Sequence, residues 1–482
     1  ERLRRALGPQ LAGASLSQHF AVFGISGLKH FAVFGILWPK HFAVFGILGL
    51  KNFAVFGKSR IFAVNIWKNM ATKNKVFKRK LYDKMLKWKQ ESNGETALLI
   101  EGARRIGKST LVEEFAKKVM YGVTLHERKS VIIFDEVQMQ PLARQAIKHL
   151  VKDHRYDYIE TGSLISIRKN VKDIVIPSEE MRMPMYPMDF EEFRWALGDT
   201  ASMPLLRQIF ESRKPLGEAA HRKMMRNFRL YMLVGGMPQA VSKYIETNNL
   251  CAVDMVKRNI ISLYEEDFRK IDESGKAAAM FDAIPAQLSK NTSRYKISSV
   301  FPGEKQDRVV DVVKMMEESK VINASYHCDD PNVGLALTKD PEYYKMYAGD
   351  TGLFVTLAFK SKEFTDNNIY KKLLSDKLEA NLGYIYENVV AQMLRATGKD
   401  LYYHTIKKPD GKGYYEIDFL IADGSKVSPI EVKSSGYKAH TSIDKFSDKF
   451  SSRIQRKYLV YTKDLQKDGD TLCLPVYLTP FL

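Results

Sequence analysis

The stretch EGARRIGKST, residues 101–110, decides how the chain is read. Gly102 is followed after four residues by Gly107, Lys108 and Ser109, so glycines that let the backbone pass close to a ligand stand beside a lysine and a hydroxyl. The apolar run Leu98-Leu99-Ile100 before it has the character of a buried parallel strand. Behind it, Leu111 to Lys118 alternate apolar and charged residues at helical spacing. A loop between a strand and a helix N-terminus gathers inward-pointing N–H groups and the positive end of the helix dipole, and is therefore suited to phosphate. Lys108 is placed to reach β- and γ-phosphates, and Ser109 to offer its hydroxyl to Mg²⁺. Gly102, Arg105, Gly107, Lys108, Ser109 and Thr110 are thus the candidate nucleotide-binding residues, with ATP and Mg²⁺ the expected cofactors.

Two later stretches complete this constellation. SVIIFDE, 130–136, is an apolar strand ending in Asp135 and Glu136. Asp135 is expected to hold Mg²⁺ together with Ser109, and Glu136 to orient the water that attacks the γ-phosphate. A third strand, 156–161, ends in Thr161-Gly162-Ser163, which puts Thr161 or Ser163 where a hydroxyl would sense the γ-phosphate. The expected catalytic set is Asp135, Glu136, Thr161 and Ser163.

The net charge of +19 is unusual, and the first 69 residues contribute +8 of it, with nine Lys and Arg against Glu1 alone. The remaining +11 still favours an anionic partner such as DNA. Cys251, Cys328 and Cys473 are far apart and in no CxxC arrangement, which argues against a disulfide framework and fits a reducing cytoplasm. No apolar run approaches the roughly 20 residues that span a bilayer, so no membrane partner is expected.

Residues 1–69 differ from the rest: HFAVFGI at 19–25 returns at 30–36 and 41–47, then as NFAVFG from Asn52, with a period of 11. These units lack turn chemistry and polar faces, and the segment is read as non-native or disordered, a repetitive stretch translated ahead of a start at Met70. Its uncharged, β-prone windows are an aggregation hazard. Residues 70–93 then read as a basic helix with an apolar underside, its lysines forming a solvated face.

GARRIGKST, VIIFDEVQ, ETGSLIS, PMDFEEF and VGGMPQAV, in that order, resemble the bacterial and archaeal AAA-type ATPases whose C-terminal half is a nuclease-like domain of unknown function. The resemblance runs from about Lys80 to the C-terminus. It implies an ATPase domain over 94–195 in which Lys108 and Ser109 bind nucleotide and Mg²⁺, Asp135 is the second-motif acid, Glu136 the base, and Thr161 or Ser163 the sensor. Arg168 is a candidate arginine finger. Those ATPases place a further strand and helix between the loop's helix and the Asp-Glu strand, whereas only 121–129 remain here. The expected sheet therefore has the sensor strand between the other two and the Asp-Glu strand as an exposed edge.

Residues 196–270 read as a helical lid around Gly235-Gly236. Residues 271–365 read as a winged-helix-like unit, with Val309, Val312, Val313 and Met316 on one apolar face. In the last part, 366–482, YYEIDFL at 414–420 puts Glu416 and Asp418 on one strand face, and PIEVK at 429–433 does the same for Glu431 and Lys433. Pairing of the two strands would bring Asp418, Glu431 and Lys433 together, as carboxylates for Mg²⁺ and a lysine for the developing charge. That spacing resembles the PD-(D/E)XK nuclease core, with Glu387 on the helix 382–394 matching its helical acid. Three functions are therefore open: an ATPase that drives a DNA-related C-terminal domain, an ATP-regulated Mg²⁺-dependent DNA nuclease, and a non-catalytic DNA-binding regulator. The sequence fixes no oligomeric state.

Overall fold

The computed structural model describes residues 76–119, 127–128, 130–137, 141–162, 179–290, 292–360, 367–375, 383–434 and 440–482, and the backbone of 32–38, 41–47 and 61–62. Strands β1 (Ala32–Trp38) and β2 (His41–Ile47), drawn from two copies of the repeat, pair antiparallel with Trp38 opposite His41.

The first large sheet has the order β3-β5-β6-β4-β7, where β3 is Ile61–Phe62, β4 Ala97–Glu101, β5 Val131–Phe134, β6 Asp157–Gly162 and β7 Glu180–Pro184. The last four run parallel, giving the four-stranded parallel sheet of a mixed α/β, P-loop-type domain. As expected, β6 lies between β4 and β5, and all six of its residues are buried. Helix Lys108–Val119 follows β4 and helix Pro141–Lys152 follows β5. On one side Leu98, Ile100, Val112 and Phe115 join the main core; on the other Phe134, Ile147, Val151 and Tyr158 form a smaller cluster.

One expectation about this sheet is corrected, and one strand is added to it. The Asp-Glu strand is not the edge, because Ile61 and Phe62 pair antiparallel with Phe134 and Ile133. A fifth strand, β7, adds to β4 beyond the sensor strand. Its sequence EMRMP carries charges and exposed side chains, so it has little strand signal and is held by main-chain pairing with β4.

The second sheet has eight strands in the order β14-β15-β13-β12-β11-β10-β8-β9: β8 Ile322–Cys328, β9 Lys339–Ala348, β10 Leu401–Lys407, β11 Tyr414–Asp423, β12 Lys426–Val432, β13 Lys457–Tyr461, β14 Gln466–Asp468 and β15 Thr471–Pro475. Helices Lys276–Asp282, Ile284–Ser289 and Val310–Glu318 precede the β8-β9 hairpin, the place of a wing. That hairpin does not stand apart, for β8 pairs in parallel with β10. A boundary at 365 therefore cuts through one continuous sheet.

The intervening helices are equally tied in. Helix Glu218–Val234 begins beside the second sheet, where Asp464 accepts from the backbone N–H groups of Leu216 (3.1 Å) and Gly217 (2.8 Å), the two residues that lead into the helix. His221 bridges Tyr477 Oη (2.9 Å) and the Thr462 carbonyl (3.1 Å). One apolar cluster runs from Leu81 to Leu478.

Candidate functional site

Lys108 opens its helix and is 8% exposed, and its Nζ donates to the carbonyls of Gly102 (3.0 Å) and Ala103 (2.8 Å). Burial lowers its pKa to about 8, against the nearby Glu136 and Asp135, which raise it. An ammonium buried on two neutral carbonyls is a group to which an anion has much to offer. Gly107 has φ +90°, a conformation that favours glycine, and Arg105 holds φ +68° without that advantage.

The three strand ends converge next to the loop. Ser109 Oγ donates to Asp135 Oδ1 (2.8 Å), and Thr161 Oγ1 donates to the same oxygen. The backbone N–H of Glu136 lies 3.4 Å from Thr161 Oγ1, and Glu136 has φ +55°. A hydroxyl and a carboxylate in contact at the helix start are a donor set that fits Mg²⁺ with a nucleotide, so Ser109 and Asp135 are the residues that would hold it. Thr110 and Arg105 are exposed beside them. Ser163 and Arg168 lie outside the described residues, as do 120–126 of the shortened connection.

Sequence reasoning missed how the loop is braced. Arg79, read as part of a solvated basic face, is 6% exposed; it donates to the carbonyls of Ile106 (2.8 Å) and Tyr186 (2.6 Å) and pairs with Glu192 (3.2 Å). From the other side, helix Leu250–Ile271 supplies Tyr264, whose Oη donates to the Arg104 carbonyl (2.8 Å), and Asp267, 3.4 Å from the Arg104 guanidinium. Pro238 also borders the loop, its Cγ 3.5 Å from where a Cβ on Gly107 would lie.

The C-terminal acids also meet. β11 and β12 pair antiparallel with Phe419 opposite Ile430, and the Val432 N–H donates to Asp418 Oδ2 (2.7 Å). Lys433 pairs with Glu431 (2.6 Å), and both Asp418 and Glu387 bear on its charge. Glu387 comes from helix Gly383–Ala396, and burial pushes its carboxyl up to about 7. The structure thus gathers Glu387, Asp418, Glu431 and Lys433, and adds a residue that the sequence reading passed over. Lys345 on β9 contacts Glu416 and lies 3.6 Å from Glu387 and 4.0 Å from Asp418. Tyr347, two residues on, donates to Glu387 Oε2 at 3.5 Å. With an ammonium among the carboxylates, this donor set does not fit Mg²⁺, and no group of three or more potential metal ligands occurs among the described residues.

Residues 119–194 match the AAA domain. That match begins past the phosphate loop and takes in Asp135, Glu136, Thr161 and Ser163. Residues 225–363 match the domain of unknown function DUF8612, and residues 382–478 match DUF4143, also a domain of unknown function. The β8-β9 hairpin falls within the first of these yet belongs to the sheet of the second. Among solved structures, protein VC1899 from Vibrio cholerae aligns at 10% identity over 80% of this chain and 95% of its own, with a TM-score of 0.17. No curated protein matches the chain. Among the described residues no helix is long and apolar enough to cross a membrane.

The two halves are joined through Gly235-Gly236 and Asp350. Asp350 is fully buried; its Oδ2 accepts from the Gly236 N–H (2.5 Å) and its Oδ1 from the Leu353 N–H (2.9 Å). A Cβ on Gly236 would lie 2.1 Å from the Met188 carbonyl oxygen, so only glycine fits there. Gln392 accepts from the Thr351 N–H (2.8 Å) and donates to Tyr231 Oη (3.0 Å), and it stands on the helix that carries Glu387.

Proposed function

We propose that this chain binds ATP at the 102–110 loop and hydrolyses it with Mg²⁺. The observation that carries this reading is the convergence of Ser109, Asp135 and Thr161 beside the buried Lys108. In it, Lys108 leaves the Gly102 and Ala103 carbonyls for the phosphates, and the loop N–H groups and helix dipole hold the same oxygens. Mg²⁺, when bound with the nucleotide, offsets charge on the β- and γ-phosphates. Ser109 and Asp135 orient that side of the site, Glu136 accepts a hydrogen bond from the attacking water, and Thr161 keeps Asp135 in place.

The match of 119–194 to the AAA domain supports the reading. Nucleotide binding with Mg²⁺ tests it, by wild type beside Lys108→Ala and Glu136→Gln. Loss of the charged contact should weaken binding by about 1.5–3 kcal/mol, about 10- to 150-fold, whereas Glu136→Gln should bind nucleotide and lose turnover. Equal affinity of Lys108→Ala and wild type would refute the assignment. A DNA partner is the reading that the +11 carried by residues 70–482 favours, and its test is duplex binding whose logarithm falls linearly with the logarithm of salt. Nucleotide state would reach the C-terminal half through the 236–238 segment, in which Pro238 borders the loop and the Gly236 N–H donates to Asp350.

A further inference from the structure

The C-terminal acid cluster already contains a cation that the chain itself supplies. Lys345 lies opposite Ser325 of β8, and its side chain, 5% exposed, ends within 4.0 Å of Glu416, Glu387 and Asp418. These three carboxylates come from a helix and a strand that follow Lys345 by some 40 to 70 residues, so the cluster is assembled only by the fold. Ser325 is completely buried and small, which leaves space for the lysine stem beside it. The Lys345 ammonium also faces the Tyr403 ring, its centre 5.6 Å from Nζ, and Tyr347 Oη donates to Glu387.

A divalent ion needs several carboxylate oxygens at about 2.0–2.6 Å from one point, with no competing positive charge there. Buried acids of like sign in turn need a counter-charge, since unpaired they repel and lose hydration. Lys345 meets that need. Burial works to lower its pKa, and Glu416, Tyr347, Glu387 and Asp418 outweigh it, holding the ammonium well above its ordinary range.

We infer that Lys345 is the resident cation of this cluster, taking the position that a catalytic metal would require, so that the C-terminal domain is held together by an internal ammonium and is not a metal-dependent nuclease. Lys433, paired with Glu431 on the far side of Asp418, then serves the same charge balance. The inference is independent of the ATPase reading, since it concerns residues of the second sheet and of helix Gly383–Ala396 alone.

Mn²⁺ binding to the full chain tests it, followed by electron paramagnetic resonance without nucleotide and compared with Asp418→Asn, so that any ion at the phosphate loop subtracts. Wild type and Asp418→Asn should hold the same amount of Mn²⁺. Lys345→Met, which keeps the length of the stem and removes the charge, should melt lower than wild type, gain about one Mn²⁺, and melt several degrees higher with Mn²⁺ than without. Should Lys345→Met fail to fold, the wild-type comparison still decides. Mn²⁺ bound by wild type and lost in Asp418→Asn would overturn the inference, and so would a Lys345→Met protein of unchanged melting temperature that takes up no Mn²⁺.

Discussion

Asp350→Ala should loosen the joint between the two halves, and the cost can be worked from its contacts. The carboxylate satisfies two buried backbone donors, the N–H groups of Gly236 and Leu353. Each donor left without a partner costs about 1–3 kcal/mol, so the two together cost about 2–6 kcal/mol. The second contact is also the cap of helix Thr351–Ala358, for which about 1 kcal/mol is typical and already included. Lys257, fully buried, loses one of two nearby acids but keeps Asp254. Against these losses stands the relief of a carboxylate whose pKa burial has raised. The balance favours the lower half of the range, about 3 kcal/mol. Urea unfolding should show a lower midpoint, and amide exchange should quicken at Gly236 and Leu353 ahead of the rest of the chain. Asp350→Asn, which keeps one acceptor oxygen, should lose about half as much. A loss below about 1 kcal/mol for Asp350→Ala, with unchanged exchange at both amides, would refute the view that this side chain holds the joint.

Other perturbations have equally definite outcomes. Arg79→Ala leaves Glu192 buried without its guanidinium and the Ile106 and Tyr186 carbonyls without their donor, and should cost about 3–5 kcal/mol in the same unfolding assay; a loss below about 1 kcal/mol would show that Arg79 does not brace the loop. Gly236→Ala forces a Cβ onto the Met188 carbonyl and should cost about 1–3 kcal/mol or more, read as a lowered melting temperature. His404 is buried, and burial pushes its pKa down to about 4 from 6.5. Between these values the unfolded chain holds a proton on this side chain that the folded chain does not, so His404 contributes a fall in stability of up to about 3 kcal/mol as pH drops from about 6.5 to about 4. Against it stands the opposite contribution of Glu387, whose raised pKa favours the folded state as pH falls. His404→Gln should flatten that part of the pH profile; an identical profile in the variant would show that His404 is not its source.

The phosphate loop and its two partner strands were legible because each is a local signal: glycines and a lysine at fixed spacing, and apolar runs that end in the required polar residue. The order of β5, β6 and β4 was implied by the resemblance to the AAA-type ATPases, not by the motifs themselves. The acids of β11 and β12 were legible through the strict two-residue period of a strand. Lys345 was not, although Tyr347 shares its face in the same alternation, because its partners are chosen by a strand order that brings β9 and β8 beside β10. Arg79 was hidden within a run of lysines, where only the close approach of Ile106 and Tyr186 distinguishes it. β7 was hidden because main-chain pairing, not side-chain pattern, holds it in place.

The parallel pairing of β8 with β10 also sets a schedule for synthesis. The β8-β9 hairpin is complete at Ala348, but its neighbour begins only at Leu401, about 50 residues later. At about 5–20 residues per second, the hairpin waits roughly 3–10 s with the N–H and C=O groups of β8 open on one side. For most of that interval Lys345 has none of its three acids: Glu387 arrives near its end, and Glu416 and Asp418 only after it. The growing chain therefore carries a solvated lysine on β9, opposite Ser325 of the open strand β8, a charge that discourages pairing with other nascent chains. The same residue is sequestered once the acids emerge, so it acts first as a guard against misassembly and afterwards as the core's counter-charge.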